Sequence, residues 1–359
     1  MKLLYGVVGE GMGHAMRSSV VLDHLHAAGH EVRILVSGRA AQYLEKRHPG
    51  QVIPITGLTM SYEDNVVKKR RTLLENLKSA VDVPENVRAY LSLGDFQPDA
   101  VISDFESVAY IFARGEKIPV ISLDNMQIIA RCHHDAAVLD DMASFLLAKG
   151  IVKLKLPRAN AYLITTFFYP PIKKERTSLH PPLLRKVILD AKPNTARGEH
   201  VLVYQSGSSH DSLIDVLRAV DAPFYVYGLR RDVEAPLEDG NLTHFPFSET
   251  RFIEHLATAR AVIAGGGFTL MGEAIFFQKP MLSVPLVGQF EQTLNAAYLE
   301  RLGYGARADH IDVAGVRRFL ERTDEYGDAL ASFAHDHNAG LLAALDAALI
   351  AGVEEGPRF

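Results

Sequence analysis

Two glycine-rich turns, one near each end of the chain, contain the residue types that could do chemistry. Residues 9–14 read GEGMGH, and residues 265–267 read GGG before an apolar helix. Glycine lets the backbone approach a ligand closely, and a helix that begins after such a turn offers unpaired N–H groups to an anion. A phosphate is the ligand that suits such a turn best. Taken alone, the triple-glycine turn could equally be a tight strand-to-helix connection.

His14 ends the first turn and is the candidate general base. Imidazole titrates near neutral pH, which suits removal of a proton from a hydroxyl group. Asp104 ends a predicted strand, and a carboxylate on the far imidazole nitrogen would fix the tautomer and stabilise the cation. Glu106 and Asp124 are weaker candidates for that carboxylate. A packing role for His14 and a helix N-cap role for Asp104 are the open alternatives.

A strand, a glycine turn, a helix and a second strand follow one another at both ends of the chain. This order predicts an α/β protein with two Rossmann-like halves. The predicted strands cover residues 2–8, 32–36, 52–55, 98–104, 119–123, 200–204, 224–227, 242–245, 261–264 and 281–284. The predicted helices cover residues 17–28, 70–93, 107–114, 135–149, 213–220, 252–259, 268–277, 317–320 and 330–350.

The domain boundary is placed where the sequence becomes basic, aromatic and rich in proline. We expect an N-terminal domain over residues 1–168, a linker over 169–198, a second domain over 199–330, and a C-terminal helix and tail over 331–359. Ligands of open α/β sheets bind beyond the carboxyl ends of the strands. His14, Asp104 and Asp124 all fall at such ends, which favours a site in the first half.

The amino-acid composition excludes some classes of function for this protein. The 359 residues carry a formal net charge of −5, which argues against general nucleic-acid binding. A single cysteine, Cys132, fits a reducing compartment, and neither a secretory signal nor a bilayer-spanning run is evident. We expect a cytoplasmic protein. The basic run 68–71 and the basic–aromatic segment 167–174 could touch the inner face of a membrane.

A dinucleotide site does not fit the first turn. The spacing is G-x-G-x-G followed by His14, whereas the dinucleotide fingerprint needs its third glycine at that place. The second strand also runs into Ser37-Gly38-Arg39 rather than into an acidic residue that could bind a ribose. These departures argue against NAD.

Three features of the sequence occur together. They are the two Rossmann-like halves, His14 after its glycine turn, and a glycine-rich unit that is followed by Glu273 and Glu291-Gln292. This set of features resembles the GT-B glycosyltransferases, in the branch that includes MurG and the UDP-glucuronosyl and macrolide-type transferases. The resemblance covers nearly the whole chain and is strongest over residues 5–36 and 245–303. It implies two Rossmann-like domains that face each other across a cleft, with the acceptor on the N-terminal domain and the donor nucleotide on the C-terminal domain.

The resemblance also implies roles for individual residues, and Asp104 resembles in position the carboxylate that partners the base in that family. Glu273 would bind the ribose hydroxyls, Glu291 and Gln292 would bind the donor sugar, and the turn around Phe247 would hold the base. Gly265 stands where many relatives carry His, and Glu291 replaces the usual Asp. The loops that would face the diphosphate contain Ser206, Gly207, Ser208, Gly266, Gly267, Phe268 and Thr269, and the weaker acceptor-side candidates are Gly11, Gly13, Asp124 and Asn125.

The activity that the resemblance implies is inverting transfer of a hexose-type sugar from a nucleoside diphosphate sugar to a hydroxyl acceptor. UDP is the favoured nucleotide, and a glycolipid, a cell-envelope precursor or a small natural product is the expected acceptor. The chain contains no Asp-x-Asp motif, so we expect neither a metal nor a cofactor. A nucleotide-sugar epimerase of the same double-Rossmann architecture is the main alternative, and a non-catalytic nucleotide-sugar binder is the second.

Overall fold

The computed structural model of the protein describes residues 1–9, 11–56, 62–63, 66–67, 83–191, 198–205, 211–230 and 232–359. The chain divides into two compact units. The first contains Met1–Ser61, Lys68–Lys186 and Asp336–Phe359, and the second contains Tyr62–Val67 and Val187–His335.

The strands are β1 (Lys2–Val7), β2 (Glu31–Ser37), β3 (Val52–Ile55), β4 (Tyr62–Glu63), β5 (Val66–Val67), β6 (Ala100–Asp104), β7 (Val120–Asp124), β8 (Ala161–Thr165), β9 (Thr177–His180), β10 (Val201–Tyr204), β11 (Phe224–Tyr227), β12 (Leu237–Asp239), β13 (Leu242–Phe245), β14 (Ala261–Ala264), β15 (Met281–Ser283) and β16 (Gly305–Arg307). All ten predicted strands are present.

The helices are α1 (Met12–Ala27), α2 (Ala40–Arg47), α3 (Val83–Gly94), α4 (Ser107–Glu116), α5 (Ile128–Arg131), α6 (Met142–Lys155), α7 (Lys186–Asp190), α8 (Asp211–Arg218), α9 (Glu249–Thr258), α10 (Phe268–Phe276), α11 (Phe290–Arg301), α12 (Val313–Glu321), α13 (Thr323–Leu330) and α14 (Ala339–Glu355). A 3₁₀ turn covers Ala136–Val138.

The first unit is built on a seven-stranded sheet in the order β3-β2-β1-β6-β7-β8-β9, and every pair in it is parallel. The strands between its two edges are buried on both faces, as parallel strands usually are, whereas the edge strands β3 and β9 are partly exposed. Leu3 and Tyr5 of β1 face a core that includes Leu22 of α1 and Leu345 of α14. Leu4 faces the opposite core, which includes Phe112 of α4. These two cores explain the continuous apolar runs of the sequence.

The second unit contains another seven-stranded sheet, in the order β12-β13-β11-β10-β14-β15-β16. Its pairs are parallel except for β12 with β13. The second glycine turn connects β14 to α10 and therefore lies at the carboxyl end of a central strand. The expectation of two Rossmann-like α/β halves is confirmed.

The segment 169–198, which the sequence predicts to be a linker, contains a strand of the first sheet in its first half. β9 lies inside that segment and pairs with β8 in the first sheet, and β8 itself was not predicted. Tyr162 and Leu163 of β8 are buried, although the strand is short and lies in a stretch of sequence that is rich in basic residues, aromatic residues and proline. Burial against the sheet outweighs the loop-like composition around this strand.

Several helices differ from their predicted bounds, and α2, α5, α7 and α11 were not predicted. α1 begins at Met12 rather than at residue 17, because Gly13 is accommodated inside its first turn. α6 begins at Met142 rather than at 135, since the Asp141 carboxylate caps it by accepting from the Ser144 N–H at 3.0 Å. Of the helix predicted over 70–93, the part before residue 83 lies outside the described residues.

The C-terminal helix, predicted as a separate segment over 331–359, packs onto the first unit. Leu341, Leu345 and Leu349 of α14 belong to the core beneath the first sheet. Asp346 also accepts a hydrogen bond from His24 of α1 at 2.9 Å. The last helix of the chain therefore completes the domain that the first strand begins.

The first glycine turn predicts a sharp difference between two alanine substitutions. A Cβ added at Gly9 would lie 1.7 Å from the Ser37 carbonyl oxygen, whereas a Cβ at Gly11 would meet nothing within 4 Å. Gly9→Ala should therefore lower the free energy of unfolding by at least about 2 kcal/mol, and Gly11→Ala by no more than about 1 kcal/mol. Chemical denaturation of both variants measures this. Equal losses would mean that the close approach of Gly9 to β2 does not constrain the turn.

Candidate functional site

The pairing of β1 with β6 brings the first glycine turn to Asp104. Val7, the last residue of β1, lies opposite Asp104, the last residue of β6, and the Val8 N–H donates to the Asp104 carbonyl oxygen at 3.2 Å. α1 begins a few residues later. Its residues 14, 17 and 18 follow the i, i+3, i+4 spacing and share one face of the helix. That face contacts the Asp104 side chain.

The structure brings the two predicted catalytic residues into direct contact. His14 Nδ1 lies 2.9 Å from Asp104 Oδ1. The Asp104 side chain is completely buried, while His14 keeps 16% of its side chain exposed. A buried carboxylate with a partly exposed imidazole is the arrangement in which Nε2 can face a substrate while Nδ1 is held from behind.

Arg17 is part of this site and was not predicted. Its Nε donates to Asp104 Oδ2 at 2.8 Å, its Nη2 donates to Oδ1 at 2.5 Å, and its Nη1 donates to Asn125 Oδ1 at 2.5 Å. The Ser18 hydroxyl adds a hydrogen bond to Oδ2 at 3.1 Å. Arg17 is almost fully buried. The helical spacing from His14 to Arg17 is the signal that could have found it.

Arg17 determines the charge of Asp104. Burial alone would raise the pKa of the Asp104 carboxyl group, but the Arg17 charge, the His14 charge and their hydrogen bonds together hold that pKa far below its usual range. The carboxylate is therefore ionised, and its charge is already balanced by a buried guanidinium group. The site is a three-residue unit rather than a simple His–Asp pair.

The contacts of His14 Nδ1 require a choice of tautomer. Arg17 Nη2 lies 2.6 Å from Nδ1, and a guanidinium group can only donate. Nδ1 must carry a hydrogen to donate to Asp104, but must lack one to accept from Arg17. Only the tautomer with hydrogen on Nδ1 leaves Nε2 able to accept a proton. Arg17 thus competes with the arrangement that a general base requires.

The two alternative carboxylates have structural partners. Glu106, not Asp104, caps α4, because its Oε2 accepts from the Ala109 N–H at 2.7 Å. Asp124 accepts from the Ser122 hydroxyl and from the Gln127 N–H, both at 2.8 Å. Among the residues that the structure describes, Asp104 is therefore the acidic partner of His14.

Asn125 and the neighbouring Asp124 support the site from the end of β7. Asn125 is buried and accepts from Arg17, so it fixes the guanidinium group on the side away from Asp104. Burial, and then the Asp104 charge, raise the pKa of Asp124 from 3.8 to about 6. Of the other acceptor-side candidates, Gly11 and Gly13 are partly exposed at the beginning of α1.

In the second unit, the glycine turn is fastened to α11. Gln292 Oε1 accepts from the Gly266 N–H at 3.1 Å and from the Leu286 N–H at 3.0 Å. Asn295 Nδ2 donates to the Gly266 carbonyl oxygen at 3.1 Å. A Cβ at Gly266 would lie 2.5 Å from the Gln292 carbonyl oxygen, so close packing against α11 already requires this glycine.

The remaining donor-side candidates lie around this turn and the end of β13. α10 begins after Gly267 without a side-chain cap, and a Cβ at Gly267 would meet nothing within 4 Å. Glu273 is buried in α10, Phe268 is buried, and Thr269 and Glu291 are partly exposed. Phe247 is 65% exposed in the loop after β13. Ser206, Gly207 and Ser208 lie outside the described residues.

Within the part of the chain that the structure describes, no group of three or more His, Cys, Asp or Glu side chains is arranged to hold a metal ion.

The buried ion pair predicts different stabilities for two variants. Asp104→Asn leaves the Arg17 charge buried without a counter-ion, so the free energy of unfolding should fall by about 3–5 kcal/mol. His14→Ala keeps the pair intact, and its loss should stay below about 1.5 kcal/mol. Urea denaturation of both proteins measures the contrast. A large loss in His14→Ala would show that His14 is mainly a packing residue.

Asp124 predicts a pH dependence of stability. Its folded pKa lies above its unfolded pKa, so the folded protein keeps a proton that the unfolded chain has lost. The free energy of unfolding should therefore fall as the pH rises from about 4 to about 6, by about 2–3 kcal/mol from this group. Asp124→Asn should remove that part of the slope, because an amide can keep both hydrogen bonds. Parallel curves for the two proteins would contradict the assignment.

Comparisons with known proteins agree with this architecture. A family model described as glycosyl transferase family 1 matches residues 1–324. An uncharacterized glycosyltransferase of Methanosarcina acetivorans is 25% identical over 327 residues, which is 85% of this chain and 85% of that protein.

Solved structures show the same fold at low identity. MurG of Acinetobacter baumannii has a TM-score of 0.58 at 14% identity, over 97% of this chain and 100% of that chain. LpCGTa in complex with UDP has a TM-score of 0.64 at 14% identity, over 97% of this chain and 99% of that chain. The GT-B resemblance is confirmed, and none of these proteins supports the epimerase alternative. The chain belongs to glycosyl transferase family 1 and is a glycosyltransferase of the GT-B fold.

Proposed function

We propose that this glycosyltransferase is inverting and independent of metal ions, and that it transfers a hexose-type sugar from a UDP-sugar to a hydroxyl group. The observation that carries the proposal is the contact of 2.9 Å between His14 Nδ1 and the buried Asp104 carboxylate. Inverting transfer needs a base for the acceptor hydroxyl, and an imidazole held from behind by a carboxylate is suited to that task.

The proposed step is a single displacement. The acceptor oxygen attacks the anomeric carbon, and the bond from that carbon to the nucleoside diphosphate breaks as the new bond forms. His14 Nε2 takes the acceptor proton, while Nδ1–H donates to Asp104 and stabilises the imidazolium ion. Arg17 and Ser18 keep the carboxylate in place through three further hydrogen bonds. The proton and the leaving group therefore depart on opposite sides of the reacting carbon.

The second unit is the proposed donor site. The uncapped beginning of α10 would stabilise the leaving diphosphate through its N–H groups and helix dipole. Glu273 is proposed to bind the ribose, and Glu291 and Gln292 to bind the sugar. Gln292 Oε1 already accepts two backbone N–H groups, so its contact with the sugar would use Nε2. The complex of LpCGTa with UDP supports UDP as the nucleotide.

The acceptor is proposed to be a glycolipid, a cell-envelope precursor or a small natural product. Gly11 and Gly13 precede His14 and are partly exposed, so they are proposed to lie on the acceptor side, whereas Asp124 and Asn125 are buried and would act by holding Arg17 and the adjacent turn. A cytoplasmic location and the absence of any cofactor belong to the same proposal. A non-catalytic nucleotide-sugar binder is the competing function, and turnover separates the two.

Nucleotide binding and turnover test the proposal together. UDP should stabilise the wild type and His14→Ala equally in a thermal-shift panel with dTDP and GDP, and should stabilise Glu273→Gln less. Release of UDP from UDP-sugars should fall about 10²–10⁴-fold in His14→Ala. EDTA should leave the rate unchanged, and NMR of the product should show an inverted anomeric configuration.

Each part of the proposal has an outcome that would overturn it. Undiminished turnover in His14→Ala would remove the base assignment, and a retained configuration would remove the inverting mechanism. Activity lost in EDTA and restored by a divalent ion would contradict independence from metals. UDP binding without any turnover of UDP-sugars would favour the non-catalytic binder. The absence of a shift with every diphosphate would contradict the donor site.

A further inference from the structure

α6 exposes an unusual number of large apolar side chains. Phe145 and Val152 are buried against the first unit, whereas Met142, Leu146 and Leu147 are exposed on the other side of the helix. Leu154, near its end, is 82% exposed. Single apolar residues are common on protein surfaces, but four on one helix face form a patch that water contacts unfavourably.

The segment 169–174 extends this apolar face. Tyr169 and Ile172 are exposed, while Phe167 and Phe168, which the sequence placed in the same basic–aromatic patch, are buried in the core. The Lys173 N–H donates to the Arg131 carbonyl oxygen at 3.0 Å, and Cys132 and Ile172 form an isolated β-bridge. These backbone contacts attach the segment to α5, which itself packs on α6. We call α6 and residues 169–174 the basic–apolar surface.

Many basic side chains and almost no acidic side chains lie in the same stretch of sequence as these apolar residues. Within residues 142–176, the basic side chains outnumber the acidic ones by seven to one, although the whole chain has a net charge of −5. The seven are Lys149, Lys153, Lys155, Arg158, Lys173, Lys174 and Arg176, and the single acid is Glu175.

Four of the lysines lie close to one another. The ammonium groups of Lys149 and Lys173 are near enough to interact directly, and Lys174 lies in the field of Arg131, Lys153, Lys173 and Lys149. Burial, and then these neighbouring charges, lower the pKa of both Lys149 and Lys174. Among the residues that the structure describes, none of the four lysines forms an ion pair with a carboxylate. The repulsion between them would be relieved by a dense negative charge.

We propose that the basic–apolar surface binds the protein to an anionic phospholipid bilayer. Its leucines would enter the boundary between headgroups and acyl chains, and its lysines would contact lipid phosphates, which is the arrangement of an interfacial helix. A bilayer supplies both an apolar phase and a continuous negative charge, and it therefore complements both parts of the surface. No helix among the described residues is long and apolar enough to cross a bilayer.

The end of α6 also connects this surface to the candidate site. Lys155 Nζ lies 4.3 Å from the centre of the Phe105 ring and 3.5 Å from the Phe105 carbonyl oxygen. Phe105 directly follows Asp104. The Lys155 side chain therefore links the end of α6 to the residue that follows the proposed catalytic carboxylate. Binding itself does not depend on the proposed function.

Co-sedimentation with vesicles tests the inference on the full-length protein. The wild type should bind phosphatidylcholine vesicles that contain phosphatidylglycerol, bind pure phosphatidylcholine far less, and lose affinity as salt rises. Leu154→Glu should weaken binding at least tenfold. The exposed pair Lys153→Gln/Lys173→Gln should weaken it about 20-fold, since each lysine contributes about fivefold near an anionic surface.

Matched variants elsewhere on the first unit serve as controls. Ile111→Glu replaces a side chain of α4 that is 62% exposed, and Lys46→Gln/Arg114→Gln removes the same charge from exposed helix positions. Both should bind like the wild type. The inference is overturned if the wild type ignores anionic vesicles at low salt, or if the controls lose as much affinity as the α6 variants. Binding to a protein partner in place of vesicles would overturn it as well.

Discussion

The ion pair between Asp104 and Arg17 is the interaction on which the candidate site depends. A carboxylate removed from water is costly unless other donors replace the lost hydrogen bonds, and Asp104 receives four of them from one face of α1. The end of β6 and the beginning of α1 are thereby held together. His14 lies on the same helix face, so the contact that stabilises the domain also orients the imidazole. Arg17 adds a constraint, because it approaches the same nitrogen that must donate to Asp104.

A strained backbone follows directly after this carboxylate. Phe105 has φ of 57°, in the left-handed region that aromatic residues rarely adopt, at a cost of about 1–3 kcal/mol. The turn allows Asp104 to face α1 while Glu106, two residues later, caps α4. Lys155 over the Phe105 ring and the buried hydrogen bonds on both sides offset the strain. A regular strand end could not direct both carboxylates in this way.

Each of the two glycine turns contains one closely packed glycine and one open glycine. Gly9 approaches the backbone of Ser37 at the end of β2, and Gly266 approaches Gln292 of α11. In each case, the neighbour that excludes a side chain is protein rather than an open space. The more open positions are Gly11 and Gly267, which immediately precede α1 and α10. Close packing and open space are thus divided between nearby glycines in each turn.

The sequence by itself determined the two α/β halves, the positions of the glycine turns and the placement of His14 and Asp104 at strand ends, because these follow from local periodicity and chain order. Only the tertiary structure decided that Arg17 joins them, since the partner of a buried charge depends on residues far apart in the chain. It also decided that β8 and β9 extend the first sheet, and that Leu154 is exposed while Phe167 is buried. Local composition does not specify which apolar side chains become buried, because burial depends on how the sheet and its helices pack together.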